Sequence, residues 1–276
     1  MYEDVIGSLK ELNIHRRAYL RERTALSNRI FALCYRHAVV SQTSEKAAEK
    51  MAQKMQKAII DGEPYDETTY AIWQDMKPMV DSLPVLKSGE EKVDAAIEKE
   101  AKRLPVAGMV KKTKGLTYKY LGCIIAEAGD LNNYPRKGHL WVRMGVGMKY
   151  GGRQRKVTDA DMAEGMKYVP KRRSLMWQVG CNLIGGMGKG HRPLEGEDIE
   201  ARTDLSYYER LFMQRLRHEA EKDPDMYLGV TDKGKESYTL HAANRARRKV
   251  ECNFLRDLRH EWMRQTGREE PLQSQP

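Results

Sequence analysis

Apolar residues recur at helical spacing along most of the chain, and this pattern most limits its fold. Near the N-terminus the apolar stripe runs from Val5 to Leu12 and again from Tyr19 to Leu33. Residues three or four positions apart share one face of an α-helix. A long helix, or two helices with a break, is therefore predicted over residues 3–38. No run with the alternating hydrophobicity of a β-strand precedes Pro105.

Capping and breaking residues divide the rest of this N-terminal region. Ser44 is predicted to cap a helix with the sequence EKAAEKMAQKMQKAII, which Gly62 and Pro64 end. The following stretch, TTYAIWQDMKPMVDSL, is predicted to be helical with an interruption near Pro78. A further helix is expected from Ser88 to the next proline.

The C-terminal part of the chain is also predicted to consist of helices separated by turns. A turn at Gly115 should lead into a helix with the sequence TYKYLGCIIAEA, and Gly129 stands where a glycine commonly ends a helix. Four glycines among residues 145–152 indicate a loop with unusual backbone angles, or one that a partner approaches closely. The last strong helix keeps apolar residues on one face. Its other faces, either solvated or facing nucleic acid, carry Arg245, Arg248, Lys249, Arg256 and Arg259.

These elements predict a mainly α-helical protein. Aromatic residues make up 8% of the chain, which argues against a dominant β-sandwich. We expect a long, coiled-coil-like helical arm at residues 1–105 that self-associates. A basic, glycine-rich region at 106–192 should follow, with C-terminal helices at 193–276 packing on it. The lysine-flanked turn at Gly115 resembles a helix-hairpin-helix, a motif that presents backbone N–H groups to phosphate.

Positive charge is concentrated in one segment. Residues 136–192 hold thirteen Lys or Arg and three acidic residues, a local net charge of +10 that equals the excess of the whole chain. Residues 1–105 are balanced, with seventeen basic and seventeen acidic residues. A dense positive field favours a polyanionic partner, although a basic surface kept for solubility has the same signature.

DNA or structured RNA is therefore the expected partner, and the sequence leaves the choice between them open. Most of the predicted contacts are to phosphate, and Tyr150 is a candidate for stacking on a base. The candidate contact residues are Lys111, Lys112, Lys114, Lys149, Tyr150, Arg153, Arg155, Lys156, Lys171, Arg172 and Arg173.

Other classes of protein are not indicated. The four cysteines lie far apart without a CxxC spacing, which favours reduced thiols in the core over a zinc site or disulfides. The run GGMGKG lacks the spacing of a phosphate loop, so no nucleotide site is predicted. No metal or other cofactor is expected. Without a signal peptide or membrane span, the expected location is the cytoplasm, or the nucleoid if the chain binds DNA.

The order of several segments resembles a known family. RERTALSNRIFALCYRHAV, GLTYKYLGCIIAEAGDL, MGVGMKYGG, KRRSLMWQVG, YYERLFMQR and ANRARRKVECNFLRDL follow one another as in the C-terminal portion of the insertion-sequence transposases that work with a bridge RNA. The Piv-type DNA invertases share this pattern. The resemblance covers about Tyr19 to Trp262. It implies a helical, nucleic-acid-binding unit of a mobile genetic element.

Two departures from the family bear on catalysis. Family members begin with an RNase-H-like domain that carries four metal-binding acidic residues, and no segment here has that pattern. Residues 145–151 occupy the loop where the family places its nucleophilic serine, yet no serine lies between Ser88 and Ser174. Thr117 also replaces a glycine that the family usually has.

We therefore expect a nucleic-acid-binding derivative of a transposase or recombinase without catalytic activity. One alternative is an active recombinase subunit that uses Tyr150, Ser174 or a catalytic domain from a partner protein. Another is a structural oligomer of a phage or mobile element that assembles through its arm.

Overall fold

A computed structural model describes residues 2–42, 44–149, 152–154, 168–185, 199, 202–230, 234 and 236–268. The helices in this part of the chain are α1 (Glu3–Ser41), α2 (Glu45–Asp61), α3 (Glu67–Ala101), α4 (Gly108–Lys112), α5 (Tyr118–Ala128), α6 (Lys137–Arg143), α7 (Pro170–Leu183), α8 (Tyr207–Lys222), α9 (Pro224–Tyr227) and α10 (Leu240–Gln265). The mainly α fold and the long N-terminal helix are thus confirmed.

The strands form two short antiparallel ribbons. β1 (Met148–Lys149) pairs with β2 (Gly152–Arg153), with Lys149 opposite Gly152. β3 (Leu228–Val230) pairs with β4 (Glu236–Tyr238), an element that sequence reasoning did not predict. Among the described residues, no helix is long and apolar enough to cross a membrane.

The chain divides into two compact units. One, the arm unit, comprises Glu11–Ala96, and the other, the main unit, comprises Met1–Lys10 with Ile97–Pro276. The division falls within α1 and α3. The arm unit lies within the predicted arm at residues 1–105, whereas the described residues of the two predicted C-terminal regions belong to the single main unit.

The arm unit has a core of its own. Three helices bury apolar side chains against one another: Ile30, Cys34 and Ala38 from α1, Ala48, Ala52, Met55 and Ile59 from α2, and Ile72, Val80 and Leu83 from α3. Arg16 donates to Asp94 at 2.5 Å and Arg23 to Glu90 at 3.2 Å, which adds polar links between α1 and α3. Self-association of the arm stays a prediction.

Helix α3 corrects one expectation. It continues without interruption through Pro78, where the sequence predicted a break, and also through Pro84. Proline removes one helical hydrogen bond and crowds the preceding turn. Both prolines are exposed, so water can reach the carbonyl groups that they leave without an N–H donor. Burial of the opposite face keeps the helix continuous.

The predicted helix ends are largely confirmed. Ser44 caps α2 by accepting a hydrogen bond from the backbone N–H of Ala47. Gly62, Gly129 and Gly267 follow helices at positive φ values of 74°, 84° and 70°, a region that glycine tolerates and other residues adopt rarely. All four cysteines are free thiols, as expected from their spacing.

The main unit is built around α10. This helix buries Ala243, Val250, Phe254, Leu258 and Trp262, the residues of the predicted apolar stripe. α10 packs against α7 and α8, and α5 packs against α7. The basic N-terminal end of α7 is thereby placed between the buried faces of α5 and α10.

Close packing of α5 predicts a measurable effect of one glycine. A methyl group at Gly122 would lie 2.6 Å from the Cγ2 atom of Ile97, whereas one at Gly7 in α1 would have no atom within 4 Å. Both glycines are helical. We expect Gly122→Ala to lower the free energy of unfolding by about 1–3 kcal/mol through overpacking.

Gly7→Ala is the matched control and should raise that free energy by about 0.5–1 kcal/mol, because alanine is the better helix former. Urea unfolding followed by circular dichroism measures both. A Gly122→Ala variant at least as stable as the wild type would contradict the packing of α5.

Candidate nucleic-acid interface

The N-terminal end of α7 carries three consecutive cations. Pro170 begins the helix, where its missing N–H costs nothing, and Lys171, Arg172 and Arg173 follow. The first turn contains no acidic residue. Cations at a helix N-terminus oppose the helix dipole. Carboxylates from other elements can offset this unfavourable interaction.

Glu127 at the end of α5 provides the first carboxylate. It is 7% exposed. Arg172 donates to its Oε2 atom at 3.0 Å, and the Lys171 ammonium lies 3.6 Å from its Oε1 atom. Arg143, the last residue of α6, donates to the Glu127 backbone carbonyl at 3.2 Å. One buried glutamate thus gathers three cations.

Glu251 on α10 provides the second carboxylate and is fully buried. Arg173 donates to its Oε2 atom, and the Arg247 guanidinium lies 3.6 Å from its Oε1 atom. Burial raises the pKa of the Glu251 carboxyl, and the neighbouring arginine charges act in the opposite direction. A methyl group at Gly180 would approach Glu251 and Arg247 to 2.9 Å, so α7 can lie this close only with glycine there.

These residues form what we name the α7 charge cluster: Arg143, Lys171, Arg172, Arg173 and Arg247, with Glu127 and Glu251. Its five cations and two carboxylates leave a formal excess of +3. Lys171 and Arg143 are exposed, whereas the side chains of Arg172 and Arg173 are only 14% and 16% exposed. The predicted contact residues Arg172 and Arg173 therefore serve internal ion pairs as well.

An aromatic ring borders this cluster. The Arg247 guanidinium lies over the Trp177 ring of α7 at 4.9 Å from the ring centroid, and its Nη2 atom donates to Asn244 at 2.5 Å. Sequence reasoning missed both Trp177 and Arg247. Helical spacing could have indicated them. Trp177 follows Arg173 by four residues and Arg247 precedes Glu251 by four, and residues four apart are neighbours on a helix.

The glycine loop packs against the same end of α7. Gly145 has a φ of 75°, and a methyl group there would lie 3.3 Å from the Cβ atom of Arg173. A methyl group at Gly147 would lie 2.7 Å from the Val142 backbone nitrogen. Both glycines are buried. The predicted unusual backbone angle is found at Gly145, whereas Gly147 is required by close packing on Val142, which the sequence did not predict.

Cys252 ties this loop to α10. Its Sγ atom donates to the Val146 carbonyl at 3.6 Å, and its own carbonyl accepts from the Trp141 indole at 2.8 Å. Burial raises the pKa of the Cys252 thiol to about 12. The thiol is therefore protonated at neutral pH, and its role in this position is structural.

The structure groups some of the predicted contact residues. Lys149 and Arg153 lie on the β1–β2 ribbon, which begins directly after Gly147, and Gly145 touches Arg173. The side chains of Lys149 and Arg153 lie outside the described part of the chain, as do Tyr150, Arg155 and Lys156 entirely. The glycine loop at residues 145–147 thus leads into the ribbon and lies next to the basic end of α7.

The lysines of residues 111–114 lie elsewhere. Lys111 and Lys112 are exposed at the end of α4. Gly115, with a φ of 84°, packs so closely on the Asn182 carbonyl that a methyl group would lie 2.1 Å from its oxygen. Asn182 is eleven residues beyond Lys171, about 16 Å along the helix. The phosphate-binding role of this turn stays a prediction.

Two arginines of α10 make internal polar contacts that the sequence pattern did not indicate. Arg259 is 1% exposed and donates to the backbone carbonyls of Tyr134 and Pro135 at 2.8 and 3.0 Å. Arg245 lies 2.8 Å from the buried carboxylate of Glu219. A guanidinium can satisfy several carbonyls at once, which lets a charged position replace an apolar one inside a bundle. The helical period alone could not reveal this.

Comparison of the chain with protein-family models, with curated proteins and with solved structures finds no match. Among the residues that the structure describes, no three His, Cys, Asp or Glu side chains are grouped as a metal site would require. Ser174, the alternative nucleophile, is exposed on the first turns of α7.

The Lys114–Glu209 pair gives the stability of the main unit a testable pH dependence. Lys114 donates to both carboxylate oxygens of Glu209, at 2.9 and 3.1 Å, and the Ser206 backbone N–H donates at 2.7 Å. Burial raises the pKa of Glu209, but these hydrogen bonds outweigh burial and bring it below the usual 4.5. The stabilisation is therefore present above pH 4.5 and is lost as the pH falls below it.

We expect Glu209→Gln to lower the free energy of unfolding at neutral pH by about 1–3 kcal/mol, because a charge-assisted pair is lost. The difference from wild type should narrow as the pH falls below 4.5. Urea unfolding at several pH values measures it. Glu221→Gln, an exposed position on α8, is the control and should change stability by less than about 0.5 kcal/mol. A difference in unfolding free energy between Glu209→Gln and wild type that does not vary with pH would refute the Lys114–Glu209 ion pair.

Proposed function

We propose that the protein binds nucleic acid through the β1–β2 ribbon and the basic end of α7. One observation carries the proposal: two buried carboxylates, Glu127 and Glu251, pair with four cations, three of them at the N-terminal end of α7, and leave a positive excess there. The sequence adds Lys149 and Arg153 on the adjoining ribbon, and Arg155 and Lys156 directly after it.

Energetics support a functional reason for this arrangement. Burying a carboxylate is costly, and replacing a buried ion pair with apolar residues is often neutral or stabilising. Placing cations at a helix N-terminus adds an unfavourable interaction with the helix dipole. Both features are energetically unfavourable, but together they fix the arginine side chains in position. Such pre-organised guanidinium groups lose less entropy when they bind phosphate oxygens.

We further propose that the chain derives from the transposases and invertases that its sequence resembles. The segments that carry the resemblance correspond to α5, the glycine loop, α7, α8 and α10 of the main unit, and to part of α1. Without a serine in the loop at residues 145–151, the proposed activity is binding rather than strand transfer. The ligand class is DNA or structured RNA.

Salt dependence tests the proposal. With about six phosphate contacts, the slope of log K against log salt for duplex DNA should be near −5, measured by fluorescence anisotropy between about 50 and 200 mM salt. Replacing Arg153, Arg155 and Lys156 together by Ala should reduce the slope to about −3, because each lost contact removes about 0.9.

The matched control removes the same charge from the arm unit. Lys46, Lys50 and Lys57 are exposed on α2, and replacing all three by Ala should leave the slope near −5. A wild-type slope indistinguishable from zero would refute nucleic-acid binding. An equal loss of slope in both triple variants would show that overall charge, rather than this face, determines affinity.

A further inference from the structure

Trp177 is the most unusual exposed side chain beside the α7 charge cluster. It is 48% exposed, whereas Trp262 is 1% exposed and Trp73 and Trp141 are partly buried. Leaving a large indole in contact with water forgoes the stabilisation that its burial would give. The position is not a loop tip, because Trp177 lies in the middle of α7.

The surroundings of the ring indicate what it would bind. The Arg247 guanidinium covers part of the indole, and Glu251 in turn holds Arg247 through an ion pair at 3.6 Å. Asn244, exposed on the same helix as Arg247, accepts a hydrogen bond from that guanidinium. An exposed aromatic ring with a guanidinium over it offers a surface of the kind on which nucleobases stack.

The positive charges beside the ring indicate which class of ligand would bind there. Arg173 lies one helical turn before Trp177 on the same face of α7, and Arg247 covers the ring, so a ligand on the indole lies beside these two cations. A nucleotide offers both a flat ring and a phosphate. Bases inside a duplex are already stacked and cannot reach a side chain of this kind, whereas unpaired bases can.

We propose that Trp177, backed by Arg247, is the stacking site for an unpaired nucleobase. This inference rests on the proposed nucleic-acid binding and narrows its ligand to single strands, or to the loops and bulges of a structured nucleic acid. Asn244 binds the guanidinium that covers the ring, and its amide NH2 group is the candidate contact to the edge of the stacked base.

Two probes and three variants of the full chain test the proposal. The probes are a fluorescein-labelled oligothymidine of about 20 nucleotides, long enough for several bases to stack, and a duplex of equal length. Trp177→Ala should weaken binding of the single strand by about 5- to 150-fold, the range found for loss of one stacked base. Binding of the duplex should change by less than about twofold, since its bases do not reach the ring.

Trp177→Phe keeps an aromatic ring and should retain most of the affinity, which also guards against misfolding of the Ala variant. Tyr70→Ala is the matched control, because Tyr70 is an equally exposed ring, at 49%, in the arm unit. It should leave binding of both probes unchanged. Oligothymidine should also quench tryptophan emission of the wild type, and Trp177→Phe should remove most of that quenching.

The outcomes separate this inference from the function on which it rests. If both probes bind in a salt-sensitive way and Trp177→Ala weakens neither, or weakens both equally, the stacking site is refuted and nucleic-acid binding stands. If only the duplex binds, the stacking site is likewise refuted and nucleic-acid binding stands. If neither probe binds, both proposals fail. A Trp177→Ala variant that changes from oligomer to monomer in sedimentation would assign the ring to an interface between copies and refute stacking.

Discussion

The ion pairs of Glu251 with Arg173 and Arg247 link the fold of the main unit to its surface chemistry. Glu251 is fully buried on α10, the helix around which this unit packs. Its partners come from the basic end of α7 and from α10 itself. Because an unpaired charge in this position would be very costly, α7 must lie where its arginine reaches the carboxylate. Gly180 permits that approach, and Gly145 lets the loop before the ribbon fit beside Arg173.

Much of the fold follows from local rules that a single sequence shows. Apolar spacing identified α1 and α10, and capping residues such as Ser44 marked helix starts. The break predicted at Pro78 is wrong, because burial of one face of α3 outweighs the local effect of an exposed proline. The β3–β4 ribbon was missed because its strands are three residues long and show little alternation.

Less of the candidate interface could be predicted from the sequence. Charge density identified Lys171, Arg172 and Arg173, but only tertiary packing shows that Glu127 and Glu251 hold them. The two carboxylates come from helices far away in the chain, and no local pattern links them to α7. Exposure of Trp177 is also a tertiary property. Within an apolar stretch such as SLMWQVG, a tryptophan is more often a core residue.

A double-mutant cycle between Arg173 and Glu251 tests most directly whether this buried pair holds the basic end of α7. We predict that Glu251→Leu lowers the free energy of unfolding by about 3–5 kcal/mol, because it leaves arginines without their carboxylate. Arg173→Met should also destabilise, and the double variant should be more stable than the sum of the single effects by at least about 1 kcal/mol. Effects that add within about 0.5 kcal/mol would contradict the account.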